Sequence, residues 1–169
     1  SYATSRTVVI RSIVAADSID TNDELVEIEN TSSEAIDITN WSLVYISSTN
    51  STSTLATFRM NGSAHVILPA GARETAFSTK YIANHPVAAS YQAATAFSGK
   101  MGYTTAGIEL RDDADNSIDT VRWGSAWAGT IDASPAPSMS ATTLLQRSGN
   151  DTDNNKNDFK LLAQVGQAF

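Results

Sequence analysis

Short runs in which hydrophobic and polar residues alternate recur along this chain. The clearest set lies in residues 23–46, where three such runs are separated by polar turn residues. In the first run, Val26 and Ile28 alternate with Glu27 and Glu29, which predicts a strand with one buried face and one solvated face. Short alternating strands punctuated by turns favour an all-β protein, here a β-sandwich.

Further strands are predicted on both sides of this stretch. Residues 6–14 (RTVVIRSIV) predict a first strand, whereas residues 47–54 (SSTNSTST) are too polar to pack and predict a loop. Residues 107–124 predict a hairpin in which the alternation is interrupted, so we expect a β-bulge near Asp119.

The middle of the chain predicts a second hairpin and a helix. Residues 55–60 and 64–68 flank an Asn-Gly dipeptide at residues 61–62, which is a strong signal for a tight hairpin. Residues 78–96 are rich in alanine and contain a proline, so we expect one short helix that ends near Asn84 and an irregular crossover after it.

The end of the chain predicts a surface excursion over residues 125–141, then strands at 142–147 and 159–162 around a loop rich in Asp and Asn. No repeat or domain boundary is visible, so residues 1–169 are expected to form a single domain. The positions that share the inward phase, and are predicted to form the core, are Ile10, Val26, Ile28, Ile38, Trp41, Leu43, Ile67, Leu110, Val121 and Leu145.

Composition narrows the class of function. The net charge is −7, so the surface repels nucleic acid phosphates and anionic membranes, and the chain has no apolar run long enough for membrane insertion. Cysteine is absent, which excludes disulfide scaffolds, thiolate metal sites and cysteine nucleophiles. Few lysines and many hydroxyl side chains suit an extracellular or cell-surface protein. Because the chain begins at Ser1, we expect a mature or excised fragment.

An ordered set of short motifs resembles the lamin tail domain in its bacterial form. Each motif alone is weak, and their order over residues 8–162 makes the resemblance specific. The motifs are Val8-x-Ile10 with Ile13, ELVEIEN at 24–30, IDITNWSL at 36–43, ILPAG at 67–71, FSGK at 97–100, GIELRD at 107–112, IDTVxWG at 118–124, LQR at 145–147, and DTDNN at 151–155 before Asp158-Phe159.

The resemblance implies an immunoglobulin-like β-sandwich of about seven to nine antiparallel strands, with the one short helix in a crossover. It also implies a non-catalytic extracellular or cell-surface module for interaction or structure, because the bacterial domains resemble accessory modules and no catalytic residues carry over. The alternative is an accessory domain excised from a larger secreted nuclease or hydrolase. We expect a monomer with a protein or glycan partner, and no cofactor.

The richest candidate site is the loop at residues 151–158. Asp151, Asp153 and Asn155 match the first ligand positions of a calcium loop, but Lys156 and Leu162 stand where such a loop has glycine and glutamate. We therefore expect Asx-turns and no metal, with calcium as the alternative. In this interpretation Arg147 pairs with Asp151 or Asp158 and the loop fastens the last strand, so Asp158→Ala should cost about 1–3 kcal/mol.

Other candidates have plainer interpretations. Trp41 is expected in the core, and an exposed Trp127 beside Tyr103 would form a surface that stacks on a sugar or a peptide. Glu27 and Glu29 are expected on a solvated strand face and not as an acid–base pair. The histidines at 65 and 85 have no triad partners nearby in the sequence and are expected at the surface or in turns.

Overall fold

The computed structural model describes residues 7–59, 62, 64–86, 96–99, 101–131 and 134–165. They contain eleven strands and two short helices. In chain order these are β1 (Val8–Val14), β2 (Leu25–Asn30), β3 (Ile36–Asp37), β4 (Ser42–Ile46), β5 (Thr52–Thr57), β6 (Ile67–Leu68), β7 (Arg73–Phe77), α1 (Thr79–Asn84), β8 (Ala106–Arg111), β9 (Ser117–Trp123), β10 (Thr143–Arg147), α2 (Asn155–Asp158) and β11 (Phe159–Ala163).

Two antiparallel sheets form the sandwich. One has the strand order β11-β10-β1-β2-β7, the other has the order β5-β4-β8-β9, and β3 pairs with β6 in a separate two-stranded ladder. The expected all-β, immunoglobulin-like fold is confirmed. The eleven strands exceed the expected seven to nine, and two of them, β3 and β6, have only two residues each.

A single large hydrophobic cluster fills the space between the two sheets. Eight of the ten predicted core positions are buried: Ile10, Val26, Ile28, Ile38, Leu43, Leu110, Val121 and Leu145. Trp41 is half-buried and packs against this cluster. The prediction for Ile67 is wrong, since Ile67 is 52% exposed while its neighbour Leu68 is buried. In β6, Leu68 pairs with Ile36 of β3, and this pairing turns Leu68 to the core.

The hairpin predicted around residues 61–62 is wrong. Strand β5 pairs with β4, and β6 pairs with β3, so the two segments are not partners. Asn61 itself lies outside the described residues. The loop predicted over residues 47–54 is wrong in part, because residues 52–54 belong to β5 and pair with β4. The turn is only 47–51, and the threonines that follow belong to β5, an edge strand where β-branched polar side chains face solvent.

Two other local predictions are confirmed. Strands β8 and β9 form the predicted hairpin, with a register shift at Leu110/Arg111 that leaves Ile118 as the extra residue beside Asp119. Helix α1 ends at Asn84 as expected, and its N-cap Ser78 accepts a hydrogen bond from the Tyr81 amide. The crossover predicted after the helix falls largely on residues 87–95, outside the described residues.

The prediction that Glu27 lies on a solvated strand face is wrong. Glu27 is only 5% exposed, because a second hydrophobic cluster covers the outer face of the five-stranded sheet. This cluster contains Val14, Leu25, Phe77 and Leu144, with Tyr81 and Ile82 of α1 packed on it. Burial raises the pKa of Glu27, and Arg73, at 3.5 Å, opposes that rise.

Candidate functional site

The guanidinium of Arg147 organises the C-terminal loop. Arg147 is 1% exposed, and its Nη1 donates to Asp151 at 3.1 Å and to Asp158 at 3.3 Å. The guanidinium also packs over the phenyl ring of Phe159, with the guanidinium carbon 4.6 Å from the ring centroid. These contacts are the ones proposed from the sequence, in which Arg147 and Asp158 hold the start of β11.

Asp119 is a third carboxylate on Arg147, and sequence reasoning missed it. Its Oδ2 accepts from Arg147 Nη2 and from the Ile10 amide, both at 2.7 Å, while Arg147 Nε donates to the Ile10 carbonyl at 2.9 Å. Strands β1 and β10 pair at Ser12–Gln146 and Ile13–Leu145, and at Ile10 the side chains of Asp119 and Arg147 take the place of the ladder hydrogen bonds. Burial raises the pKa of Asp119 to about 6, with Arg147 opposing, and Asp119 is ionised at neutral pH.

The calcium candidates of this loop already bond to protein groups. Asp151 Oδ1 accepts from Arg147 and from the Asp153 amide, the Asx-turn contact expected from the sequence. The Asn155 side chain faces β9, where its amide is oriented to donate to the Thr120 carbonyl at 3.3 Å and to accept from the Arg122 amide at 2.9 Å. That this loop holds no metal stays a prediction, and calcium binding by Asp151, Asp153 and Asn155 stays the alternative.

The tryptophans have different surroundings. Trp123 is fully buried and its indole N–H donates to the Gly102 carbonyl at 2.9 Å. Trp127 is half-buried, donates to the Gly124 carbonyl, and has the Arg122 guanidinium 5.6 Å from its ring centroid. Tyr103 is 38% exposed. The surface of Trp127 and Tyr103 stays a prediction, with Arg122 on the Trp127 ring as an added feature.

A cavity of about 590 Å³ lies at the open side of the sandwich, between edge strand β5 and the start of α1. Most of the residues that line it carry a hydroxyl group, and Lys80 adds an ammonium group. The lining includes Tyr45, Thr54, Leu55, Ser78, Lys80 and Gly99. Its walls come from five separate segments of the chain, so no local sequence pattern could indicate this cavity.

Strand β5 presents backbone amides to this open side. The Ser47 amide donates to the Ser51 carbonyl, so the next pair, Ile46–Thr52, is a non-hydrogen-bonded pair of the β4–β5 ladder. By the antiparallel alternation, the backbone groups of Thr52 and Thr54 then point away from β4. In the described part of the chain no strand pairs with β5 on that side.

A buried carboxyl group supports the cavity wall. Glu24 is fully buried, and its Oε1 accepts from the Met101 amide at 2.6 Å. Burial raises the pKa of Glu24 to about 8, so its carboxyl is largely protonated at neutral pH. Gly99 is required beside it, because a methyl group at Gly99 would overlap Glu24 Oε2. The FSGK motif at residues 97–100 contains this glycine, but the sequence does not show that Glu24 is the residue it packs against.

The comparisons with known proteins give one finding about family. The family model described as Lamin Tail Domain matches residues 1–125. A search among curated proteins finds no match to the chain. Within the described residues, neither helix is long and apolar enough to cross a membrane.

Proposed function

Since this chain belongs to the lamin tail domain family, an immunoglobulin-like family, we propose that it is a non-catalytic interaction module that binds an extended segment of a protein partner. The cavity between β5 and α1 is the observation that carries the proposal. We place the module outside the cell or on its surface, as a monomer. We also propose that the protein is bacterial, because its motifs resemble the bacterial form of the family.

Strand addition is the binding mode that suits this cavity. An extended peptide beside β5 would bond to the outward backbone groups of Thr52 and Thr54, while its side chains enter the cavity. Hydroxyl groups of Ser78 and Thr54 and the phenol of Tyr45 offer hydrogen bonds there. Because the net charge is −7, association is faster for a neutral or basic segment than for an acidic one.

A second contact surface is proposed at Tyr103 and Trp127. The exposed phenol ring of Tyr103 and the half-buried indole offer stacking area for a sugar or an aromatic peptide side chain. The Arg122 guanidinium beside the indole supports a stacked arrangement. Binding at this surface and binding at the cavity beside β5 would shift the NMR signals of different backbone amides.

A peptide selection tests the proposal. Extended peptides are selected from a random library on the isolated domain, and binding is followed by the backbone amide signals in NMR spectra. Thr54→Pro removes one outward amide and is tolerated on an edge strand, whereas Thr54→Val keeps the amide and the side-chain shape. We expect Thr54→Pro to weaken binding about tenfold, the effect of one lost hydrogen bond, and Thr54→Val to weaken it less.

Three results would contradict this function. The first is that no peptide binds the domain. The second is that a bound peptide shifts the signals of Tyr103 and Trp127 and ignores Thr54→Pro, which places the contact on the other surface. The third is a full-length protein in which the domain packs its β5 side against an adjoining nuclease or hydrolase, which supports the accessory role.

A further inference from the structure

Three side chains with metal-binding atoms meet at one end of the five-stranded sheet, where the connection from β1 to β2 lies beside α1. They are Asp17, which follows β1, Asp23, which precedes β2, and His85, the C-cap residue of α1. His85 Nε2 lies 2.7 Å from Asp17 Oδ2 and 3.5 Å from Asp23 Oδ2. One ligand atom from each residue lies within 4.8 Å of the other two.

These distances are close to those around a tetrahedral metal ion. Two ligand atoms at 2.0–2.1 Å from zinc at a tetrahedral angle are about 3.3 Å apart. The His85–Asp23 distance of 3.5 Å already fits, and the His85–Asp17 pair needs to open from 2.7 Å by about half an ångström. An ion between the three groups therefore requires only small side-chain movements.

Each of the three groups is held by a second contact that leaves its ligand atom directed at the centre. Asp17 Oδ1 accepts from the amides of Ile19 and Asp20, which leaves Oδ2 toward His85. Asn84 Nδ2 donates to Asp23 Oδ1 at 2.8 Å and to Asp23 Oδ2 at 3.0 Å, which fixes the carboxylate and leaves Oδ2 a second lone pair for an ion. The Tyr81 ring stacks on His85 with centroids 4.1 Å apart. Outer contacts of this kind orient the ligands of metal centres.

The charge of the cluster calls for a further cation. The Asp17 and Asp23 side chains are 8% and 0% exposed, and the imidazole of His85 is their only charged partner among the described residues. The nearest ammonium group of α1, on Lys80, pairs instead with Asp20 at 3.9 Å. Two carboxylates that are buried beside one another repel, so a cation between them would stabilise the cluster.

We propose that Asp17, Asp23 and His85 bind one divalent transition-metal ion, of which zinc is the best fit, with solvent completing its coordination. One imidazole and two carboxylates suit zinc, cobalt or manganese, whereas calcium and magnesium prefer oxygen ligands alone. The imidazole side chain is 32% exposed, so an ion can enter from solvent. The ion would join the turn before β2 to the C-terminal end of α1.

Cobalt titration of the metal-free domain tests this site. Tetrahedral Co²⁺ gives visible absorption bands, and Zn²⁺ is then added to displace it. We expect a saturable signal at one ion per chain, and His85→Gln should weaken binding at least about tenfold. His65→Gln is the matched control, because His65 is the only other histidine and its partner is Asp37. Asp23→Asn, with folding checked by NMR, is the second variant.

The inference is overturned if neither Co²⁺ nor Zn²⁺ gives saturable binding, or if binding is unchanged in His85→Gln. It is also overturned if the binding is lost in Asp151→Ala and kept in His85→Gln, because the ion then occupies the C-terminal loop. Peptide binding beside β5 is measured in the metal-free domain, so failure of this site leaves that test intact.

Discussion

Replacing Asp158 by alanine removes a buried acceptor from the centre of the Arg147 network. Asp158 is 2% exposed. Its Oδ1 accepts from the Thr152 hydroxyl at 2.6 Å, and its Oδ2 accepts from the Thr152 amide at 2.9 Å and from Arg147 at 3.3 Å. The substitution therefore leaves a backbone amide and part of a guanidinium without an acceptor.

The size of the destabilisation depends on which carboxylates Arg147 keeps after the substitution. Breaking a buried ion pair by removing one partner costs about 3–5 kcal/mol. Arg147 keeps Asp119 and Asp151, so its charge stays compensated and the cost is lower. We expect Asp158→Ala to lower the free energy of unfolding by about 2–4 kcal/mol, which overlaps the upper half of the range of about 1–3 kcal/mol expected from the sequence. For a chain of this size the melting temperature falls by about 4–16 °C.

Urea unfolding followed by circular dichroism measures this difference, provided that the slope of free energy against denaturant is unchanged. Asp113→Ala is the control, because Asp113 is an exposed carboxylate at the β8–β9 turn and its removal makes the same charge change. We expect the control to change stability by less than about 0.5 kcal/mol. If Asp158→Ala costs no more than Asp113→Ala, the loop does not fasten β11 in the way described.

Three further predictions concern other groups. Burial raises the pKa of Glu24 to about 8 from an ordinary 4.5, so its contribution to stability is complete below pH 4.5 and is lost as the pH rises toward 8. Glu24→Gln should remove this pH dependence, and a difference between variant and parent that stays constant from pH 5 to pH 8 argues against a raised pKa. Gly99→Ala should lower stability by about 1–3 kcal/mol in thermal unfolding, since the methyl group would overlap Glu24 Oε2; an unchanged melting temperature contradicts this tight packing. Millimolar calcium should not change the melting temperature, and a saturable rise that disappears in Asp151→Ala or Asp153→Ala would show a calcium site in the C-terminal loop.

Local alternation predicted the centre of the sandwich well. The β2 positions Val26 and Ile28 and the β8–β9 hairpin have strong periodicity and short-range partners, so local pattern and tertiary structure agree there. The predicted pairing of residues 55–60 with residues 64–68 was wrong, and so was the loop predicted over the polar residues 52–54. Strand β6 has only two residues, and hydroxyl-rich β5 gains its strand character from pairing with β4.

The candidate sites were less predictable because their residues are distant in sequence. Arg147 and Asp151 are four residues apart and were paired correctly, since the sequence shows a guanidinium just before an acidic loop. Asp119 is 28 residues from Arg147, and His85 is 68 residues from Asp17, so only the folded chain brings them together. Glu27 was misplaced because no local pattern shows that α1 and a second cluster cover the outer sheet face.

The position of β1 beside β10 constrains the order of events during protein synthesis. Within this domain β1 is translated before its sheet neighbour β10, and the arginine that bonds to Ile10 follows Ile10 by 137 residues. Both lie beyond residue 125, where the family match ends. While this domain is being translated, β1 can pair with β2, but its other edge stays open until residues 143–147 have been made. An open edge on a hydrophobic strand favours chaperone binding and aggregation of the growing chain.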